Sequence, residues 1–317
     1  MTTLEIIIII LVVIILMLEF TILLFPYVIY SRFFRRYKPF KRLSVIDFVP
    51  EWKPYLNYLH EAKTIFENLN LEEITLTSFD GLKLNAYYMP ASNPSNISVI
   101  AVHGYRSDCF QSAAIATSFL HQKDYNILYV ELRGHGKSEG EYVGFGVQDH
   151  KDLLDWINYL DKRLEHKSSI FLHGLSMGAN TVLLTSDYEL PKSVKGIIAD
   201  CGYTSVKDEL SYLHKLVFHI PAWPFLPLLK RIVLKRANYS IDEYSTLNSL
   251  KQSKLPICFI HGDNDKFVPT IFSRENFEAC SSEKELHIFP GAGHALSRLS
   301  NPARYEKIVE DFIKKHS

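Results

Sequence analysis

The chain has 317 residues, a length that suits one large domain or two smaller ones. Its 35 basic residues balance its 35 acidic residues, so the composition carries no signature of a nucleic-acid-binding protein. Cys109, Cys201, Cys258 and Cys280 lack the paired spacing of a zinc site or of a small disulfide framework. We expect four ordinary thiols in a reducing compartment.

The chain begins with an almost unbroken apolar run over residues 6–30, which is long enough to cross a bilayer as a helix. Glu19, the one charge inside it, costs about 2.5–3.5 kcal/mol near mid-span, whereas the apolar side chains return roughly 6–11 kcal/mol. A cleaved signal peptide fits less well, because no basic segment precedes the run and no small-residue cleavage site follows it. A helix buried inside a domain is the remaining alternative. The sequence therefore predicts a single transmembrane anchor over residues 1–31.

Charge is distributed unevenly around this run. Only Glu5 and the amino terminus precede it, whereas six basic residues follow it at once: Arg32, Arg35, Arg36, Lys38, Lys41 and Arg42. The positive-inside bias predicts that the C-terminal side, and the folded domain with it, lies in the cytoplasm. A basic stem that merely touches lipid headgroups is compatible with this orientation. We predict a stem and linker helix over residues 32–70 and membrane lipid as a partner.

From residue 71 onward, strand-like and helix-like patterns alternate. The strand-like runs lie at residues 71–78, 82–90, 97–103, 127–132, 169–173, 194–200, 257–261 and 285–289. Asp80-Gly81 predicts a hairpin between the first two. Several later runs are continuously apolar, as expected for parallel strands covered on both faces, and helical spacing follows at residues 153–164 and 305–315. The pattern predicts one α/β domain over residues 71–317 with a doubly wound, mostly parallel sheet.

One connection in this pattern is anomalously long. An ordinary loop between strand and helix has about 2–6 residues, but the segment between Asp200 and Pro256 is far longer and contains helix-like pieces at 205–218 and 225–236. We interpret residues 203–250 as a helical cap over the carboxyl ends of the strands. Apolar positions 225, 228, 229 and 232 fall on one helical face, which either packs on the body of the domain or lines a substrate pocket. In the second case we expect Trp223 and Phe225 to contact substrate.

The motif that points to chemistry is Gly174-Leu175-Ser176-Met177-Gly178. It follows the strand at 169–173 and precedes a helix-like stretch at 179–188, which is the strand–turn–helix context of a nucleophilic serine. A serine hydroxyl is a weak nucleophile at neutral pH, so it needs a base, and the base needs an orienting carboxylate. Ser176 is the predicted nucleophile.

Candidates for the base and the acid follow later in the chain. His294 lies in the Gly-rich loop after the last strand, and Asp265 lies just past the strand at 257–261. The chain order of nucleophile, acid and base is that of the α/β-hydrolases. Asp200, at the end of another strand, and Asp263 are alternative acids.

These motifs together resemble an α/β-hydrolase of the esterase, lipase and acyl-hydrolase group, in particular its small membrane-anchored bacterial members. The resemblance runs from about residue 71 to the C-terminus. It implies that Asp265 is the acid, four residues before Pro269, and that Asp263 is a turn residue. The residue after the nucleophile, Met177, supplies one oxyanion N–H, and the resemblance implies that Tyr105, in the His-Gly loop, supplies the second.

The expected activity is hydrolysis of a carboxylic ester, a small-molecule acyl substrate, through an acyl-enzyme. Thioesterase, amidase, peptidase and acyltransferase activities stay open because the fold does not fix the substrate. A membrane-tethered binding protein without activity is the alternative from another class.

We expect no metal, since no histidine pair has ligand spacing backed by a carboxylate, and we expect no other cofactor. The residues 133–138 end like a phosphate-binding loop, but their glycine spacing fails that motif, so we interpret them as structural.

Overall fold

A computed structural model describes residues 2–36, 49–219 and 222–317 of the chain. The apolar run forms helix α1, Thr3–Ile29, which is long and apolar enough to cross a membrane. Thr2 and Glu5 form a reciprocal capping box at its start, and a π-helical turn, Tyr30–Phe34, continues its end. The predicted basic stem is described only in part, because Lys38, Lys41 and Arg42 lie outside the described residues.

Eight strands of the described residues form one sheet in the order β1-β2-β4-β3-β5-β6-β7-β8. The strands are β1 Glu72–Thr77, β2 Lys83–Met89, β3 Ile97–Val102, β4 Asn126–Glu131, β5 Ser169–Leu175, β6 Val194–Asp200, β7 Ile257–Gly262 and β8 Lys284–Phe289. β2 is antiparallel to β1 and to β4, and all later pairs are parallel. The prediction of a mostly parallel α/β sheet is confirmed.

Helices cover both faces of this sheet. Beyond α1, the described helices are α2 Leu56–Glu67, α3 Ala114–His121, α4 Asp149–Arg163, α5 Met177–Leu183, α6 Val206–Phe218, α7 Phe225–Ala237, α8 Thr246–Leu250, α9 Ile271–Ala279, α10 Ser297–Ser300 and α11 Pro302–His316. Leu153 and Trp156 of α4 and Val182 of α5 pack on one face. Phe119 of α3 and Tyr305 of α11 pack on the other. Each central strand is therefore buried on both sides, which explains its continuous apolar sequence.

The long connection after β6 forms the predicted helical insertion, consisting of α6, α7 and α8. The predicted apolar face of α7 is covered only in part. Its most buried side chains are Leu229, Val233 and Ala237, at intervals of four residues, whereas positions 225, 228 and 232 are half-buried. The buried side chains pack with Tyr30 and Phe34, at the end of the apolar N-terminal segment. The sequence pattern of α7 gives no sign of this partner, which lies far away in the chain.

Candidate active site

Ser176 occupies a strained turn between β5 and α5. Its φ of 56° and ψ of −116° lie outside the usual regions for a residue with a side chain, and its N–H donates to the Asp200 carbonyl at 2.8 Å. The flanking glycines are needed for close packing. A Cβ on Gly174 would lie 2.2 Å from the Gly178 carbonyl oxygen, and a Cβ on Gly178 would lie 2.3 Å from that of Val102. The motif therefore fits this turn for steric reasons.

Three of the predicted site residues come together at this turn. His294 Nε2 lies 2.9 Å from Ser176 Oγ, and His294 Nδ1 lies 2.7 Å from Asp265 Oδ2. All three side chains are buried. With Nδ1 donating to the carboxylate, Nε2 is left to accept the serine proton. The arrangement is that of a nucleophile, a base and an orienting acid.

Asp265 is held by more donors than His294 alone. Its Oδ1 accepts from the N–H groups of Phe267 and Val268 at 2.9 and 2.8 Å, and His261 Nε2 donates to Oδ2 at 3.1 Å. Burial alone would raise the pKa of Asp265, but His294 and His261 together hold the pKa well below its usual value. These contacts therefore favour the ionised carboxylate. His261 lies within the predicted strand at 257–261, where the apolar pattern gave no sign of a functional role.

The alternative acids lie elsewhere. Asp200 accepts a hydrogen bond from Ser297 Oγ at 3.2 Å, and burial raises the pKa of this carboxyl to about 7. Asp263 accepts from the N–H of Gly291 at 2.6 Å, which matches a turn residue. The described hydrogen bonds of His294 Nδ1 go to Asp265 and not to either alternative. Geometry thus favours Asp265 as the acid.

The segment that precedes the α/β domain contacts the loop that carries His294 and restrains it. Trp52, in the 3₁₀ helix Pro50–Tyr55, donates its indole N–H to the His294 carbonyl at 2.7 Å. Glu51 packs beside Gly293, where a Cβ would lie 2.7 Å from the Glu51 Cγ. These residues fall within the predicted stem. A single tryptophan far from the motifs gives no local signal of such a contact, so sequence reasoning missed it.

The two predicted oxyanion donors lie on either side of Ser176. Met177 is the first residue of α5, where an N–H group has no acceptor within the helix. On the other side, a Cβ on Gly104 would lie 3.5 Å from Ser176 Cβ, so the backbone before Tyr105 runs beside the nucleophile. The Tyr105 side chain points away and donates to the Phe33 carbonyl at 2.9 Å. Both backbone positions suit donors to an oxyanion.

The predicted cap contacts have other neighbours in the described residues, or few. Phe225 packs against Phe25 of α1, with ring centroids 5.2 Å apart, and against His214. Trp223 is 76% exposed. The aromatic ring that does lie next to His294 is Phe267, at 5.0 Å between centroids. Substrate contact by Trp223 and Phe225 stays a prediction.

One cluster at the site has the composition of a metal site. Ligand atoms of Cys201, Asp265 and His294 lie within 4.8 Å of one another. However, Asp265 and His294 already bind each other, and burial raises the pKa of the Cys201 thiol far above neutrality. A neutral thiol is a poor metal ligand. The chemistry of these donors fits a proton-transfer site better than a metal centre.

Comparison with known proteins gives the class. A family model described as serine aminopeptidase, S33, matches residues 93–245, and a dienelactone hydrolase model matches residues 235–314. The uncharacterized protein YqkD of Bacillus subtilis is 27% identical over 254 residues, which are 80% of this chain and 83% of YqkD. The Pyrococcus furiosus esterase Pf2001 superposes with a TM-score of 0.63 at 24% identity, over 78% of this chain and 93% of the esterase. An acylaminoacyl peptidase of Pyrococcus horikoshii gives 0.57 at 22% identity, over 78% of this chain and 42% of the peptidase.

A mostly parallel sheet with a serine on the sharp turn between strand and helix defines an α/β-hydrolase. This chain belongs to the α/β-hydrolase superfamily, which confirms the resemblance drawn from its motifs. The matched families support a hydrolase of acyl bonds.

Proposed function

We propose that this protein is a serine hydrolase that cleaves a carboxylic ester through an acyl-enzyme. The observation that carries the proposal is the continuous chain of hydrogen bonds from Ser176 through His294 to Asp265, at 2.9 and 2.7 Å. Ser176 Oγ attacks the carbonyl carbon while its proton passes to His294 Nε2. The resulting oxyanion accepts from the N–H groups of Met177 and Tyr105.

The second half of the reaction reuses the same groups. His294 returns the proton to the departing alkoxide as the carbon–oxygen bond breaks, which leaves an acyl group on Ser176. A water molecule then gives its proton to His294 and attacks the acyl carbon, and collapse of that intermediate releases the acid and restores the Ser176 hydroxyl. Asp265 stabilises the imidazolium in both halves without taking its proton.

An ester is the favoured substrate because apolar side chains lie next to the base and the acid. Phe267 contacts His294, and Val268, whose N–H donates to Asp265, belongs to a buried apolar cluster with the inserted helices. The likeness to an esterase agrees with this choice. An amide or peptide bond is the second candidate, because the longest family match is to serine aminopeptidases. Thioester hydrolysis and acyl transfer need no change in the triad.

We further propose that α1 is a retained membrane anchor. Its most apolar part is wholly exposed, as a lipid-facing helix would be. The π-helical turn that follows α1 is buried instead, because Tyr30 and Phe34 lie in a cluster with Leu229 and Val233. Cleavage of α1 as a signal sequence within or after this end would expose the cluster. This packing supports a retained anchor over a signal peptide.

The test of the proposed activity is labelling with a fluorophosphonate probe and hydrolysis of a series of chromogenic esters by the full chain in detergent. Ser176→Ala should abolish labelling and lower kcat by roughly 10⁴–10⁶, because triad residues act as a unit. Ser186→Ala is the matched control, since Ser186 is a buried serine whose hydroxyl has no partner in the described residues. Retention of more than a tenth of the activity in Ser176→Ala would mean that another residue is the nucleophile. A wild-type chain that neither labels nor hydrolyses any ester, amide or thioester would identify a binding protein.

A further inference from the structure

The segment that follows α1 is packed into the catalytic domain. We call residues 30–36 the juxtamembrane segment. Within it Phe34 is fully buried, and its ring lies 4.8 Å from that of Phe145. The Phe34 carbonyl accepts from the N–H of Val143 at 2.8 Å, and the Arg36 N–H donates to the Glu141 carbonyl at 2.7 Å. The segment therefore pairs with residues 141–143 through backbone hydrogen bonds.

Arg36 extends this attachment to the Gly-rich loop at residues 133–140. Its guanidinium donates to the carbonyls of Ser138 and Gly136, each at 2.6 Å, and to that of Gly140 at 3.4 Å. A planar guanidinium that binds several carbonyls fixes their mutual geometry. These partners lie about a hundred positions away in sequence, so the contacts are tertiary and specific.

The same segment is bonded to the loop that carries the second oxyanion donor. We call residues 103–106 the oxyanion loop. Tyr105 donates its hydroxyl to the Phe33 carbonyl at 2.9 Å and stacks on Phe145 at 5.1 Å between ring centroids. The Arg106 guanidinium donates to the Arg32 carbonyl. Two adjacent residues of the loop are therefore tied to two adjacent carbonyls at the end of the membrane helix.

A histidine completes the connection between the two loops. The N–H of Arg106 donates to His135 Nε2 at 3.2 Å, while His135 Nδ1 donates to the Arg133 carbonyl at 3.0 Å. This pattern requires a neutral ring. Burial, aided by the neighbouring His103, lowers the pKa of His135 to about 3, so the ring stays neutral and keeps its acceptor. The Gly-rich loop, held by Arg36, thus holds the oxyanion loop in turn.

We propose that the juxtamembrane segment positions the oxyanion loop, so that the end of the membrane anchor is a working part of the active site. The inference rests on the proposed function, because it concerns the Tyr105 N–H as an oxyanion donor. The Tyr105 side chain and this N–H belong to one residue, so the bond to Phe33 constrains the donor directly. A displacement of about 1 Å in a catalytic group is enough to lower the rate by about 10²-fold.

The kinetic test compares Tyr105→Phe and Phe34→Ala with wild type, as full chains in lipid vesicles. Tyr105→Phe removes only the hydroxyl that binds Phe33, so we expect kcat to fall about 10- to 100-fold with KM unchanged within twofold. The inhibition constant of a boronic acid, whose tetrahedral adduct uses the same donors, should rise by the same factor. A structural role alone would not move these two quantities together. Tyr58→Phe, an exposed tyrosine of α2, is the matched control. Wild-type kcat in Tyr105→Phe would overturn the proposal.

A second test needs no enzymatic activity, so it separates this proposal from the proposed function. A protease site is inserted within residues 37–48 of the full chain, and the vesicle-bound protein is cut there. We expect the catalytic domain to sediment with the vesicles after cutting, because the juxtamembrane segment stays bound to it. Phe34→Ala combined with Arg36→Ala should release the domain. Release of the cut wild-type domain would show that the segment is only a tether and would overturn the proposal.

Discussion

Asp265 carries the densest set of donors at the site. One of its oxygens faces two histidine N–H groups, from His261 and His294, and the other faces two backbone N–H groups. His261 cannot turn away, because its Nδ1 lies 2.6 Å from Ser273 Oγ and its Nε2 also donates to the Val268 carbonyl. Every group around the carboxylate thus requires it to be an ionised acceptor.

This geometry predicts the effect of Asp265→Asn. The amide would place an NH₂ group against the N–H of His261 and of His294, so His294 would change tautomer and lose its ability to accept from Ser176. We expect kcat for the best chromogenic ester to fall about 10⁴-fold. Asp200→Asn and Asp263→Asn are the comparisons, and each should lose far less. A larger loss in Asp200→Asn than in Asp265→Asn would contradict the assignment of the acid.

Glu209, in the first turn of α6, is buried with no use in the proposed reaction. Neither of its carboxyl oxygens has a hydrogen-bond partner in the described residues. Burial, together with the negative charge of Asp265, raises the pKa of Glu209 well above its usual range. The folded protein therefore releases this proton only at a higher pH than the unfolded chain, which releases it above pH of about 4.3.

The sign of the pH effect follows from linkage. Because unfolding releases the proton, rising pH favours the unfolded state, by up to about 1.4 kcal/mol per pH unit between the two pKa values. Glu209→Gln removes this contribution. We expect the free energy of unfolding of the variant to exceed that of wild type by a margin that grows as the pH rises from about 4.3 towards the raised pKa of Glu209. Denaturant unfolding in detergent measures it, with the exposed Glu278→Gln as control. A margin that does not change with pH would contradict the prediction.

At the scale of elements, the strands were predictable from the sequence, but the ends and the packing partners of some helices were not. Runs such as Ile97–Val102 and Ile257–Gly262 are continuously apolar because helices cover both faces of the sheet, so a local pattern identifies them. The helix after Ser176 is shorter than predicted and ends at Leu183. The buried partners of Leu229 and Val233 in α7 are Tyr30 and Phe34, more than 190 positions earlier. Contacts of that range leave no periodicity in either segment.

The 3₁₀ helix Pro50–Tyr55 supplies a test at this scale. Trp52→Phe keeps an aromatic ring but removes the 2.7 Å bond to the His294 carbonyl. We expect kcat to fall about tenfold, with KM nearly unchanged, since the loop that presents His294 loses one restraint. Trp223→Phe is the matched control, because Trp223 is exposed and makes no described hydrogen bond to the loop of His294. Equal activities in the two variants would show that the segment is not part of the site.

For the whole molecule, the sequence predicted an anchor and a domain, but it did not predict that the end of the anchor packs against the domain. The triad residues were identifiable because each follows a strand, where a parallel sheet places side chains at one edge. The juxtamembrane segment was interpreted as a basic stem. Its carbonyls and Arg36 instead bind loops beside the active site. Backbone acceptors carry no sequence signal, so only the tertiary structure reveals this attachment.

The orientation in the membrane is the prediction that belongs to the whole chain. Basic residues crowd the C-terminal side of α1, so the positive-inside bias predicts that the catalytic domain lies in the cytoplasm. A C-terminal reporter that works only outside the cytoplasm should therefore be inactive, while a cytoplasmic reporter should be active. Replacing Lys38, Lys41 and Arg42 with glutamine and adding lysines before Leu4 should exchange the two signals without touching residues 30–36. Activity of the exported reporter on the unaltered chain would place the catalytic domain outside.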